Sequence, residues 1–124
     1  MTQRVIENLS QTQCLELIRQ KVIGRFVFQD AEGVAAVPVN YGVAGEQIVF
    51  RTEQGSHLRD ALRNPVAFEV DETELASGAG WSVLIRGTGQ EIAIERVPEI
   101  LRLTGKAFPH PWACLLYTSD AADE

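Results

Sequence analysis

The stretch RFVFQDAEGVAAVPVNYGVAGEQIVFRT, residues 25–52, contains three apolar segments with two turns between them. The segments RFVFQD, VAAVPVNYGV and EQIVFRT are short and rich in β-branched and aromatic residues, which favour strands. The separators DAEG and AG have the composition of turns. This stretch therefore predicts three consecutive strands, and it makes β-structure the main part of the fold.

A helix is predicted before the first strand. Ser10, followed three residues later by Gln13, forms a capping-box pattern. Apolar residues then recur at helical spacing, namely Cys14, Leu15, Ile18 and Val22. Gly24 stands where the C-terminal cap of this helix is expected. Cys14 is interpreted as a small buried hydrophobic residue.

The second half of the chain continues the β pattern. VAFEVD, residues 66–71, alternates apolar and acidic positions as a half-buried strand does. WSVLIRGTGQEIAI, residues 81–94, predicts one long strand with a bend or bulge at Gly87 and Gly89. HLRDALR and PEILRLTG predict two short helices, and ETELASGAG predicts a flexible polar loop. Because no βαβ pattern repeats, we expect a mostly-β chain with short helices, folded as a six-stranded antiparallel barrel.

Composition limits the classes of function. The 124 residues are one domain in length, and a net charge of −6 gives no basic footprint for nucleic acid. No apolar run is long enough to span a membrane, and the amino terminus has no signal-peptide core, so we expect a cytoplasmic location. The two cysteines, Cys14 and Cys114, have no CxxC spacing and predict neither a disulfide framework nor a metal site.

The carboxy terminus has an unusual sequence. Residues 114–124, CLLYTSDAADE, resemble a frame translation of a transposon sequencing adapter. Segments of this kind are set aside when a fold is inferred. We therefore expect residues 1–113 to form the native domain, incomplete at its C-terminal end, and residues 114–124 to be non-native. We also expect the barrel to keep an unfilled edge beside this tail.

The segment FRTEQGSHLRDAL, residues 50–62, joins a strand end to a helix start through a polar loop. Ser56 is a good N-cap, and a helix beginning at His57 would present free N–H groups and a positive dipole end. Arg51 adds a cation and Thr52 a hydroxyl at the end of the strand. These residues alone leave two interpretations open, a phosphate-binding corner and an ordinary capped helix.

Acidic residues cluster where the strand at residues 66–71 ends. We interpret them as a solvated strand face and loop, which explains them more simply than an acid–base pair or a calcium loop. The residues are Glu69, Asp71, Glu72 and Glu74.

Five motifs resemble, in order and spacing, the pyridoxamine 5'-phosphate oxidase-like family: GRFVF, VPVNY, IVFRTEQGSHL, NPVAFEVD and GWSVLIRGTG. Members of this family bind flavin mononucleotide (FMN) on a split barrel. The resemblance covers residues 9–112 and implies a six-stranded antiparallel split β-barrel of the FMN-binding type.

The resemblance also implies which residues meet the flavin ring. The strand whose backbone follows the isoalloxazine ring is matched by Val37, Pro38, Val39 and Asn40. Ser82 matches a polar position that reaches the flavin from the long strand. Its neighbour Trp81 is interpreted as a core or interface aromatic residue rather than a flavin contact.

The same resemblance assigns the phosphate end of the cofactor. Arg51 and Thr52 fall where the family contacts the ribityl chain and phosphate, and Ser56 and His57 occupy the second phosphate-contacting pair. His57 departs from the family, where lysine or arginine is usual. A neutral imidazole still donates one hydrogen bond but lacks the full charge.

From this resemblance we expect an FMN-dependent oxidoreductase that acts on an unidentified small molecule. It also implies a homodimer with each flavin between two subunits. The flavin would carry the chemistry, and no side chain is assigned as a catalytic acid or base. The alternatives are a flavin-binding carrier or sensor without turnover, and a split-barrel protein that uses a deazaflavin coenzyme or haem, because a shared fold does not fix the substrate.

Overall fold

The structure, a computed structural model, describes residues 7–52, 64–105 and 114–118. The helix predicted at residues 57–63 lies outside these ranges. A one-turn 3-10 helix, Ile94–Arg96, precedes the second α-helix. In chain order the elements are α1 (Gln11–Arg19), β1 (Ile23–Asp30), β2 (Gly33–Ala44), β3 (Gln47–Thr52), β4 (Pro65–Thr73), β5 (Gly80–Glu91), α2 (Val97–Thr104) and β6 (Cys114–Thr118).

The six strands pair antiparallel and close a barrel in the order β1-β2-β3-β6-β5-β4, which confirms the predicted architecture. The two longest strands each change partner along their length. β2 pairs with β1 up to Asn40 and with β3 from Tyr41. β5 pairs with β4 up to Thr88 and with β6 from Gly89. The barrel therefore consists of two sheets that share β2 and β5, and β5 changes partner at the glycines where the sequence predicts a bend.

The backbone of β6 lies between β3 and β5. It pairs with β3 from Cys114 opposite Thr52 to Thr118 opposite Ile48, and with β5 at residues 89–91. The expectation of an unfilled barrel edge is therefore wrong for the backbone. The edges of β3 and β5 offer N–H and C=O groups that an extended segment can pair with whatever its side chains are. That residues 114–124 are an adapter translation stays a prediction.

Helix α1 begins where the sequence predicts and ends earlier. The Ser10 N–H donates to Gln13 Oε1 at 2.9 Å, and the Gln13 N–H donates to Ser10 Oγ at 3.2 Å, which completes the capping box. The helix ends at Arg19, so Val22 lies beyond it and is exposed. The predicted helix was too long because the apolar spacing continues into the connection to β1.

Gly24 is part of β1 and is not a helix cap, which corrects the prediction. The ring of Phe68 occupies the space that a side chain at position 24 would need. This close approach explains the glycine. The ring belongs to an aromatic cluster that fills the barrel, with centroids 4.7 Å apart for Phe26 and Phe50 and 5.0 Å for Tyr41 and Phe68.

Helix α1 packs its apolar side chains, Cys14, Leu15 and Ile18, onto this aromatic core. Cys14 is only 3% exposed and forms no disulfide, which confirms its interpretation as a buried hydrophobic residue. The Tyr41 hydroxyl donates a hydrogen bond to the backbone carbonyl oxygen of Ile18, and burial raises the pKa of that hydroxyl. This bond attaches α1 to β2.

Helix α2 packs on the outside of the barrel. It contributes Ile100 to a second apolar cluster with Ala44, Val49 and Ile92. The strand predicted at residues 81–94 ends at Glu91, because Ile92 leaves the sheet and packs in this cluster. Within the described ranges, no helix is long and apolar enough to cross a membrane.

Candidate functional site

The segment of β2 at residues 37–40 has one edge that is paired and one edge that is open among the described strands. Val37 and Val39 pack against the core, whereas Pro38 and Asn40 are exposed on the outer face. On one edge this segment pairs with β1. On the other edge the ladder with β3 begins only at Tyr41, and no other described strand pairs there. Backbone N–H and C=O groups along an open edge are available to a ligand.

The open edge begins where β2 and β3 separate. The ladder between the two strands ends at the pair of Tyr41 with Phe50. The next residues beyond this end are Asn40 on β2 and Arg51 on β3. β3 continues through Arg51 and Thr52 beside β6 and not beside β2. The structure thus brings the backbone of Asn40 and Arg51 to one fork.

The predicted phosphate corner is only partly covered by the structure. The backbone of Arg51 and Thr52 is described, but their side chains lie outside the described part. Ser56 and His57 lie wholly outside it. The convergence of these four side chains on one phosphate therefore stays a prediction.

The position of Ser82 follows from the register of one sheet. One row across its outer face runs from Pro38 through Arg25 and Glu69 to Leu84. Asn40 and Ser82 lie one row further on the same face, at its opposite edges. Three strand spacings of about 4.8 Å separate them by roughly 14 Å. A single chain therefore does not bring Ser82 next to the segment at residues 37–40.

A charged cluster lies on the same face between these two edges. Arg25 Nη1 is 2.5 Å from Glu69 Oε1 and 3.0 Å from Asp71 Oδ2. Partial burial, followed by a hydrogen bond to Asp71, raises the pKa of the Glu69 carboxyl. The same hydrogen bond from Glu69, the largest influence on Asp71, lowers the pKa of the Asp71 carboxyl. Of the two carboxyls, Glu69 is therefore the one that holds a proton to higher pH.

Sequence reasoning missed this cluster. It interpreted Glu69 and Asp71 as a solvated strand face, and the face is indeed partly exposed, but both carboxylates accept a hydrogen bond from the guanidinium group of Arg25. The alternation in VAFEVD does place both acids on one face. The pairing with Arg25 could not be inferred, because it requires the neighbourhood of β1 and β4, which are separated by two strands in the sequence.

Comparisons with known proteins agree with this architecture. The uncharacterized protein Rv0080 of Mycobacterium tuberculosis is 29% identical over 116 residues, which cover 88% of this chain and 73% of that protein. The FAD binding protein from Mycobacterium smegmatis has a TM-score of 0.77 at 26% identity, over 94% of this chain and 95% of that chain. A heme binding protein from the same organism has a TM-score of 0.73 at 13% identity, over 92% of this chain and 52% of that chain, which shows a shared fold alone.

The family comparison covers almost the whole chain. The sequence profile described as pyridoxamine 5'-phosphate oxidase matches residues 10–124, which include α1 and all six strands. The split barrel with its two shared strands is the architecture that the five ordered motifs imply. The chain belongs to the pyridoxamine 5'-phosphate oxidase family.

Proposed function

We propose that this protein binds FMN and acts as a flavin-dependent oxidoreductase on a small molecule. The observation that carries the proposal is the open edge of β2 at residues 37–40, which begins beside Arg51. Membership of the family supports the proposal, as does the likeness to the FAD binding protein of M. smegmatis. When bound, the flavin supplies the electron transfer, and the protein supplies binding and orientation.

The residues present fit a flavin at this edge. The backbone of residues 37–40 offers hydrogen bonds to a flat ring, and Pro38 and Asn40 point outward on the same side of the sheet. At the fork, Arg51 and Thr52 would take the phosphate together with Ser56 and His57. A single phosphate would suit this corner, because the helix start predicted from the sequence at His57 and one arginine would provide donors for one anion.

A homodimer would complete the site. Ser82 stands about 14 Å from Asn40 by the usual strand spacing, too far to join the same contact within one chain. A second copy packed against the outer face of this sheet can present its own Ser82 to the flavin of the first. The face suits such a contact because it carries half-buried apolar side chains around a charged cluster; they are Val27, Ala67 and Leu84.

The dimer proposal has a matched pair of variants. Leu84→Arg places a charge on the outer face, on β5 directly across the ladder from Glu69, whereas Leu75→Arg places it on the 95% exposed tip of the β4–β5 loop. In size-exclusion chromatography with light scattering we expect Leu84→Arg to give monomers with weakened FMN binding. Leu75→Arg should remain a dimer. Equal behaviour of the two variants contradicts this interface.

Three alternatives remain as outcomes of one experiment on the cofactor. The purified protein is titrated with FMN, a deazaflavin coenzyme and haem, and its absorption spectrum is recorded. A cytoplasmic location is also proposed, and fractionation of cells that produce the protein tests it. A flavin spectrum that bleaches anaerobically with a reduced nicotinamide or another reduced small molecule supports the oxidoreductase. A bound flavin that no donor reduces supports the carrier or sensor. A haem or deazaflavin spectrum without flavin binding overturns the FMN proposal.

A further inference from the structure

A pocket of about 440 Å³ opens at the end of the β4–β5 hairpin. Both strands and the connecting loop contribute to it, and it lies outside the flavin edge described above. The lining residues are Glu72, Thr73, Glu74, Ala79, Gly80 and Trp81. Its volume is in the range of small-ligand sites.

The loop that borders this pocket is held by hydrogen bonds, although the sequence predicts it to be flexible. The Glu74 N–H donates to the Ala79 carbonyl oxygen, and the Gly78 N–H donates to the Glu74 carbonyl oxygen, both at 2.8 Å. The Ala79 N–H donates to Ser77 Oγ at 3.1 Å. Gly78 adopts a φ of 71°, which glycine allows without strain. The pocket wall is therefore formed before any ligand arrives, which lowers the entropic cost of binding.

The aromatic part of the pocket lining is Trp81. This side chain is half-buried and packs against the barrel core. Directly across the ladder from it stands Glu72. A cation placed over an indole face is attracted by the ring quadrupole, and tryptophan is the most effective side chain for this contact.

Two carboxylates line the pocket, and among the described residues only that of Glu72 has an ion-pair partner. Lys21 Nζ lies 3.0 Å from Glu72 Oε1 and balances that charge. Within the described ranges Glu74 forms no ion pair. An indole face beside an unbalanced carboxylate favours a positively charged ligand with an apolar body.

We propose that this pocket binds a small organic cation, an amine or ammonium compound with an apolar part. Its ammonium group lies near Glu74 and Glu72, and its apolar part lies against Trp81. The Thr73 hydroxyl can accept one N–H of a primary ammonium group. This proposal does not depend on flavin binding, because none of its residues belongs to the flavin edge.

The test uses Trp81 as the reporter. The chain has two tryptophans, so a Trp112→Phe background leaves Trp81 as the only one. Benzylamine, which is protonated at pH 7, should change the Trp81 fluorescence saturably at millimolar concentration, while neutral benzyl alcohol should not. In this background Glu74→Gln should weaken benzylamine binding roughly two- to fivefold, as expected for loss of an exposed charge contact. Glu32→Gln, which makes the same charge change at the exposed β1–β2 turn, is the control and should leave binding unchanged.

A second measurement avoids dependence on the tryptophan background. Saturation-transfer NMR on the wild-type chain compares the same two probes, with and without cofactor added. The proposal is overturned if benzylamine gives no saturable response, if benzyl alcohol binds equally well, or if Glu32→Gln weakens binding as much as Glu74→Gln. Because the readout contains no flavin signal, failure here leaves the FMN proposal untouched, and failure of FMN binding leaves this one untouched.

Discussion

Replacing Gly24 by alanine should strongly destabilise the barrel. A Cβ built on Gly24 lies 2.5 Å from Phe68 Cζ and 3.1 Å from Val70 Cγ2. Carbon atoms pack at about 3.5–4.0 Å, so the new methyl group overlaps the ring by roughly 1 Å. The ring cannot move aside, because Phe68 is fully buried and packs against Tyr41 and Phe50. Overpacking in such a place costs about 1–3 kcal/mol, and we expect a value near the upper end.

The partner substitution is Phe68→Leu, which shortens the side chain that the methyl group meets. By itself it should cost less than the roughly 3–5 kcal/mol of a Phe→Ala change in a core. In the double variant the methyl group enters the space that the ring has left. The two substitutions should therefore couple favourably by at least about 1 kcal/mol. Urea denaturation followed by circular dichroism gives the free energy of unfolding of the four proteins.

The control is Val27→Ala, on the same strand as Gly24 but on the outer face of the sheet. Combined with Phe68→Leu it should give additive free energies within about 0.5 kcal/mol. If Gly24→Ala and Phe68→Leu are equally additive, the two residues are not in contact and the pairing of β1 with β4 is misplaced.

Three further predictions concern the site and the tail. Arg51→Ala should weaken FMN binding by about 1.5–3 kcal/mol, the value of a charge-assisted hydrogen bond, and riboflavin binding much less; calorimetric titration with both ligands tests this, and equal losses contradict the phosphate assignment. Because the folded chain raises the pKa of Glu69, the stability gained from its proton is present below the unfolded-state value of about 4.5 and is lost as pH rises through the folded-state pKa. The Glu69→Gln variant keeps an N–H donor at position 69 at every pH. Its free energy of unfolding, measured by urea denaturation, should therefore fall less between pH 4.5 and 7 than that of the wild type. Parallel plots of unfolding free energy against pH for the two proteins would refute the contribution of the Glu69 proton. Deleting residues 114–124 should expose two strand edges and increase aggregation in light scattering, whereas Tyr117→Thr should leave the melting temperature within about 2 °C, and a larger loss would show that the tail has evolved packing.

Sequence patterns predicted the elements of this fold because those patterns are local. The capping box of Ser10 and Gln13 and the alternation of VAFEVD depend on neighbours a few residues away, and both are observed. Gly24 was misassigned for the opposite reason. Its function is to make room for Phe68, which is 44 positions away in the sequence and adjacent only through the pairing of β1 with β4.

The candidate site likewise has parts that local sequence patterns predict and parts that depend on which strands are neighbours. The segment at residues 37–40 could be predicted as a unit because it is one continuous strand. The charged cluster of Arg25, Glu69 and Asp71 could not be predicted, because it depends on which strands are neighbours in the barrel. The distance between Asn40 and Ser82 likewise follows only from the strand order, and it is this distance that makes a partner subunit part of the proposed site.

The carboxy-terminal strand shows the difference between backbone pairing and side-chain fit. β6 satisfies ladder hydrogen bonds of β3 and β5, and five extended residues of almost any composition can do so. Side chains impose a stricter requirement, since a shift by one residue exchanges every inward and outward position. Closure of the barrel at residues 114–118 is therefore compatible both with a native strand and with a foreign segment. The two cases differ in the cost of changing the residue at position 117, because only a native strand has been selected to fit Val49, which stands opposite it in the ladder.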